Sequence, residues 1–177
     1  MIDFHGQADM EASADRYFAG RAGYYEAARD LVSAIPQAAS WRPDDVLEVG
    51  AYTLPLVQGC HTLDNRTWPT FEPTYLHDAC QTPWPIPDRR YRLVVALQVF
   101  EHLGDRQPQA FAECARIADW AVISVPYRWP RPPDHADIDE ATLARWFGVR
   151  PLFAQLVRSS IAPLDRLVCL YPFQHAA

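Results

Sequence analysis

Lysine is absent from this chain of 177 residues: all 16 basic side chains are arginine, set against 22 Asp and Glu for a formal charge of −6. An acidic surface argues against indiscriminate binding to nucleic acid or anionic membranes, which draws on a broad basic face. Local arginine clusters remain at Arg89-Arg90-Tyr91-Arg92 and Tyr127-Arg128-Trp129-Pro130-Arg131. The cysteines, Cys60, Cys80, Cys114 and Cys169, form no Cys-x-x-Cys, and no His-rich spacing accompanies them. No metal site is therefore expected, and the thiols read as small buried side chains. No apolar run nears the ~20 residues that cross a bilayer. The first residues, Met-Ile-Asp-Phe-His-Gly, lack a basic stretch followed by an apolar one, so no signal peptide is visible and the expected location is the cytoplasm. Glycine is scarce, and no Gly-x-Gly-x-x-Gly occurs. Without that phosphate cradle a nicotinamide oxidoreductase is a poor reading.

What is present is ordinary globular material, 49% hydrophobic and 21% charged, at a length that suggests one domain. Helical spacing of Tyr24, Ala28, Leu31, Val32 and Ile35 predicts a helix over 14–35, stopped by Pro36. Short apolar runs predict strands at 46–50, 61–64 and 74–78, the last two ending in Asp64 and Asp78. Residues 91–99 form the best strand, apolar almost throughout, as in parallel sheets buried on both faces. A helix over 107–118 and a strand over 120–125 follow, then a proline-rich loop over 127–138. Asp139 is placed to cap a helix running through Phe147, with Glu140 in its first turn. Strand-like runs at 151–159 and 166–171 are close enough for an antiparallel pair.

Strands alternating with helices predict an α/β, Rossmann-like, mostly parallel sheet with helices on both faces and an antiparallel C-terminal edge strand. Residues 1–40 read as an N-terminal helical segment in which Tyr17, Phe18, Arg21, Tyr24 and Tyr25 make an aromatic, basic cluster, and 41–177 as the main body of a single structural domain. In such sheets ligands sit beyond the carboxyl ends of the strands, at the switch in strand order. The loops after Val49, Leu63, His77, Val99 and Val125 are the places to look.

Those loops carry a resemblance. Val46-Leu47-Glu48-Val49-Gly50-Ala51 resembles the first motif of the class I S-adenosylmethionine-dependent methyltransferases, an acid, one residue, then glycine. The stretch from Asp78 through the Pro83-Trp84-Pro85-Ile86-Pro87 turn to the strand ending in Glu101-His102-Leu103 is similar to a more distinctive block of that family. The likeness runs from about Trp41 to Tyr171. It implies S-adenosylmethionine as cofactor and S-adenosylhomocysteine as product, held by Glu48, Gly50, Ala51, Asp64, Asp78, Ala79, Gln98 and Val99.

In that reading Gly50 lets backbone approach the cofactor's amino-acid end without a Cβ. Glu48 orients that polar end, or else caps the turn. Asp64 accepts from ribose hydroxyls, or is a solvated turn residue. Asp78 accepts from the adenine amine while the Ala79 amide reaches a ring nitrogen, or Asp78 is a surface turn. Gln98 and Val99 place backbone around the methionine moiety. His102 and His135 are the general-base candidates, because histidine titrates near neutrality; Glu101-His102 is otherwise an ordinary helix start. Tyr127, Trp129 and Tyr24 are candidates to line the acceptor pocket, or Tyr127 and Trp129 pack their loop down; the resemblance also implies residues 1–40 as a lid over the cofactor, with core packing of the helix as the other account of its tyrosines. The implied partner is a small-molecule O or N acceptor (a sugar, lipid or secondary metabolite), with no nucleic acid, no membrane span and no metal; a homodimer is left open.

The chain departs from the family after Gly50, where Ala51-Tyr52-Thr53-Leu54-Pro55 replaces further glycines. Only about ten residues separate Gly50 from His61, near the lower limit for a parallel crossover. The second reading is accordingly a non-catalytic member of the fold, a binding or scaffold protein with a degenerate cofactor loop.

Overall fold

The structure, a computed structural model, describes residues 1–12, 21–130, 137–158 and 164–173. Seven strands form one sheet: β1 (Val46–Val49), β2 (His61–Asp64), β3 (Tyr75–Leu76), β4 (Tyr91–Leu97), β5 (Ala118–Pro126), β6 (Phe153–Val157) and β7 (Arg166–Pro172). Their order is β3-β2-β1-β4-β5-β7-β6. Neighbours are parallel from β3 through β5, and β7 runs antiparallel to both β5 and β6. The antiparallel pair thus closes one edge, with β6 outermost. Strand order reverses between β1 and β4, where Val49 pairs with Ala96 on one side and Leu63 on the other.

Helices cover both faces because β4 and β5 offer apolar side chains to each. On one face α2 (Ala22–Ser33) lays Tyr24, Tyr25, Ala28, Leu31 and Val32 over Leu93, Val95, Leu97, Val122, Val168 and Leu170. On the other, α3 (Gln107–Ile117) and α4 (Glu140–Phe147) cover Val94, Ala96, Ala121, Ile123, Val125 and Cys169. Phe111 and Phe147 stack there at 4.2 Å between ring centroids, with Tyr171 edge-on to both. Asp139 caps α4 as its sequence position predicts, its Oδ1 accepting from the Thr142 amide at 2.8 Å.

Some boundaries move. The first long helix begins at Ala22 among the described residues, and 13–20, with Tyr17 and Phe18, lie outside them. A short α1 (Gln7–Ala12), which periodicity did not mark, precedes it. Residues 50–60 and 65–74 contain no helix, so both early crossovers are reduced to turns. The N-terminal residues brace the first: the Leu56 carbonyl accepts from the His5 amide and the Asp3 carbonyl from the Gln58 amide, each at 2.9 Å.

Candidate functional site

The chain leaves β1 through a left-handed Gly50, φ +67°, whose amide donates to the Leu63 carbonyl at 2.8 Å. A Cβ at Gly50 would stand 2.6 Å from Val99 Cγ2, so the position is restricted by contact as well as by backbone angle. The exit of β4 is tight too. Gln98 is left-handed, φ +59°, a conformation costing a non-glycine residue about 1–2 kcal/mol. Its amide donates to the Ser124 carbonyl at 3.0 Å, and its side-chain amide to the Ser124 hydroxyl at 3.1 Å. These bonds tie the exit of β4 to β5, and the β1–β4 pairing that ends at Val49 and Ala96 sets the two strand exits side by side.

Between them opens a cleft of about 490 Å³. It brings together Gly50, Asp64, Asp78, Ala79, Gln98, Val99 and His102, seven of the residues singled out by sequence. Asp64 ends β2 and is buried; its carbonyl accepts the His77 amide at 2.9 Å, tying the exits of β2 and β3. Asp78 Oδ1 accepts from the Cys80 amide at 2.9 Å, which fixes the carboxylate at the cleft. Tyr52, Arg66, Trp68, His77 and Cys80 also line the wall and were not assigned to a site by sequence. Tyr52 packs edge-on to Trp68 at 4.2 Å, and the Arg66 guanidinium lies 3.9 Å over the same indole. An aromatic pair therefore stands where further glycines would leave open space. Leu54 packs toward α2 instead, its carbonyl accepting from the Tyr25 hydroxyl at 2.9 Å.

The other sequence candidates lie elsewhere. Glu48 is 1% exposed, and its Oε2 accepts from the Leu56 amide at 2.6 Å, beneath the shortened crossover. Burial pushes its carboxyl up to about 8, against the opposing pull of the Leu56 amide and of Arg21. The carboxylate is thus engaged by the turn and lies outside the cleft lining. Ala51 is buried and outside the cleft lining. Tyr24 is buried on the α2 face, while Tyr127 and Trp129 follow β5. The Tyr127 hydroxyl donates to the Glu140 carboxylate at 3.2 Å and the Trp129 indole to the Asp165 carbonyl at 2.7 Å. His135 lies outside the described residues.

A short 3-10 turn, Phe100–His102, separates the Glu-His pair. His102 reaches the cleft and Glu101 turns inward, where burial pushes its carboxyl to about 8. A larger cavity, about 900 Å³, lies at the amino ends of β4 and β5 beside Trp41 and the Arg92–Asp119 ion pair. It is on the wrong side of the sheet for the strand-switch crevice. Among the described residues no group of His, Cys, Asp and Glu is disposed to hold a metal, and no helix is long and apolar enough to cross a membrane.

The chain is similar to several solved methyltransferases. The Burkholderia thailandensis 1,6-didemethyltoxoflavin-N1-methyltransferase, with bound 1,6-didemethyltoxoflavin and S-adenosylhomocysteine, is 19% identical with a TM-score of 0.60, over 94% of this chain and 87% of that one. The N-methyltransferase NodS of Bradyrhizobium japonicum WM9, in complex with S-adenosylhomocysteine, is 14% identical with a TM-score of 0.60, over 95% and 98%. The magnesium protoporphyrin IX methyltransferase of Synechocystis PCC 6803, with S-adenosylhomocysteine bound, is 13% identical with a TM-score of 0.57, over 92% and 89%. No family model matches the sequence, and no curated protein matches it.

Proposed function

We propose that this chain, which has the fold of the class I S-adenosylmethionine-dependent methyltransferases, binds that cofactor in the cleft beyond β1, β2 and β4 and methylates an oxygen or nitrogen of a small molecule. The observation that carries the reading is the convergence of Gly50, Asp64 and Asp78 on one cleft at the switch in strand order. Its volume, about 490 Å³, falls within the range of small-molecule sites.

The residues suit the group. Gly50 offers bare backbone to an amino-acid moiety. Asp64 can accept from a ribose diol, and Asp78 from an adenine amine, with the Ala79 amide beside it to donate to the ring. Tyr52 and Trp68 give the cleft an apolar wall. When bound, S-adenosylmethionine supplies an electrophilic methyl group on a sulfonium. The chain then has to hold the acceptor in line, and positioning of this kind is worth about 7–11 kcal/mol of barrier. His102, exposed at the cleft, can take the acceptor's proton, a contribution of about 10²–10⁴-fold. Sugars, lipids and secondary metabolites fit the acceptor class; toxoflavin precursor and protoporphyrin in the named neighbours are of the same small-molecule kind.

The test is isothermal titration of the chain with S-adenosylmethionine and S-adenosylhomocysteine. Saturable one-to-one binding supports the reading, and Asp78→Ala should weaken it at least about tenfold with the fold retained. The second reading, a non-catalytic scaffold, draws on Tyr52, which is left-handed at φ +60° and fills cleft wall in place of glycine. No heat at millimolar cofactor would favour it.

A further inference from the structure

The cavity of about 900 Å³ at the amino ends of β4 and β5 shares no lining residue with the cleft at the strand switch. Trp41, Arg89, Arg92, Asp119, Trp120 and Phe173 line it. Arg89 and Arg92 belong to the arginine run at 89–92 that stands out in the sequence and that methyl transfer leaves unused.

Strand register builds the polar side. Leu93 pairs with Trp120, which sets Arg92 opposite Asp119, and the two side chains meet at 2.9 Å. A guanidinium carries five N–H donors in a planar fork. Among the described residues Arg92 spends one of them, on Asp119. The others remain on an exposed side chain at the cavity wall, held in place by its carboxylate partner. Arg89 reaches the same cavity from a left-handed residue, φ +53°, whose amide donates to the Arg116 carbonyl at 3.0 Å. Backbone of that kind is held by its surroundings and clusters at ligand clamps.

The carboxylates, in contrast, are engaged. Asp119 accepts from Arg92, and Asp45, also in the lining, accepts from the Arg42 amide at 2.9 Å. The hydrogen-bonding capacity left over is on the donor side, which suits an anion. A guanidinium fork matches a carboxylate with two parallel bonds, a fit that a point charge does not offer. The apolar side is aromatic: Trp41 is buried, Trp120 is half-buried, and the Phe173 amide donates to the Asp119 carbonyl at 2.8 Å, which places that ring beside them. Aromatic faces next to a guanidinium suit a flat ring. The volume falls within the range of small-molecule sites.

We propose that this cavity is a second ligand site, which takes a flat aromatic carboxylate with its ring against Trp41 and Trp120 and its carboxylate on Arg92 and Arg89. The site is independent of the methyl-transfer reading, since it lies at the opposite end of the sheet and can be filled together with the cleft.

The test uses the full chain and two probes, 5-fluoroindole-2-carboxylate and its neutral amide 5-fluoroindole-2-carboxamide, followed by fluorine NMR at about pH 7.5, where a carboxylic acid is ionised. The carboxylate should bind at least about tenfold more tightly than the amide. Arg92→Lys keeps a charge for Asp119 but loses the fork, and should weaken the carboxylate at least about fivefold while leaving the amide within about twofold. Arg89→Asn, a residue that tolerates left-handed backbone, should weaken it at least about threefold. In the native chain the indole N–H signals of Trp41 and Trp120 should move with the carboxylate, a readout that needs no variant to fold. Saturating S-adenosylhomocysteine should leave the carboxylate's affinity within about twofold. Absence of saturable binding, equal affinity of the two probes, unmoved indole signals, or displacement by S-adenosylhomocysteine overturns the proposal. If S-adenosylhomocysteine does not bind, the methyl-transfer reading falls, and the probe preference and the indole signals still decide this site.

Discussion

The two halves of the sheet are built to different standards. From β4 outward the strands run to seven, nine, seven and five residues, and α3 and α4 lie in their connections. From β1 to β3 they shorten to four, four and two residues and are linked by turns. The helix-clad half holds the large aromatic cluster of Phe100, Phe111, Phe147 and Tyr171. The helix-free half holds most of the cleft at the switch in strand order. Crossover helices can thus be trimmed where the cleft lies, provided the loops that replace them are tied down from beneath. Glu48 and the N-terminal residues do that tying.

The largest effect should come from damaging the clad half. Phe147→Ala empties the centre of the aromatic stack and should cost about 3–5 kcal/mol of unfolding free energy, read from urea denaturation. A loss below 1 kcal/mol would mean that this cluster does not carry the stability assigned to it.

The helix-free half should show itself in pH dependence. The folded carboxyl of Glu48 is raised from 4.5 to about 8, so the folded state holds its proton longer than the unfolded one. Its contribution is fully present below pH 4.5 and is lost as pH rises to about 8, with a slope of up to about 1.4 kcal/mol per pH unit. Glu101, raised to about 8 as well, contributes a second slope of the same sign. Glu48→Gln keeps an acceptor for the Leu56 amide but cannot ionise, so it should flatten the profile by one group's share. An unchanged profile would remove Glu48 as the pH-sensitive brace.

The smallest effect belongs to the cap of α4. Asp139→Ala removes the bond to the Thr142 amide and should cost about 1 kcal/mol, again by denaturation, with cofactor affinity unaffected. A change in affinity would mean that the two halves are more tightly coupled than their architecture implies.

The clad half was also the more legible in sequence. The apolar run of β4, the α3 periodicity and the Asp139 cap are local patterns, each decided by neighbours within one or two turns. The carboxyl-end rule then pointed to Gly50, Asp64 and Asp78 because strand ends can be read wherever strands can. Glu48 was harder. Its carboxylate is satisfied by a backbone amide eight residues later, and only the return path of the loop separates a turn cap from a cofactor ligand. Trp68 and Arg66 reach the cleft from an irregular loop that carries no period to read, and His77 lies just past β3, which is shorter than the 74–78 run expected from sequence.

Occupancy of the cleft itself tests the account most directly. A crystal structure of the chain with S-adenosylhomocysteine should place the adenine against Asp78 and Ala79, the ribose hydroxyls at Asp64 and the amino-acid end over Gly50. Density for the compound in the cavity beside Trp41 and Trp120, or a cleft left empty at saturating concentration, would contradict it.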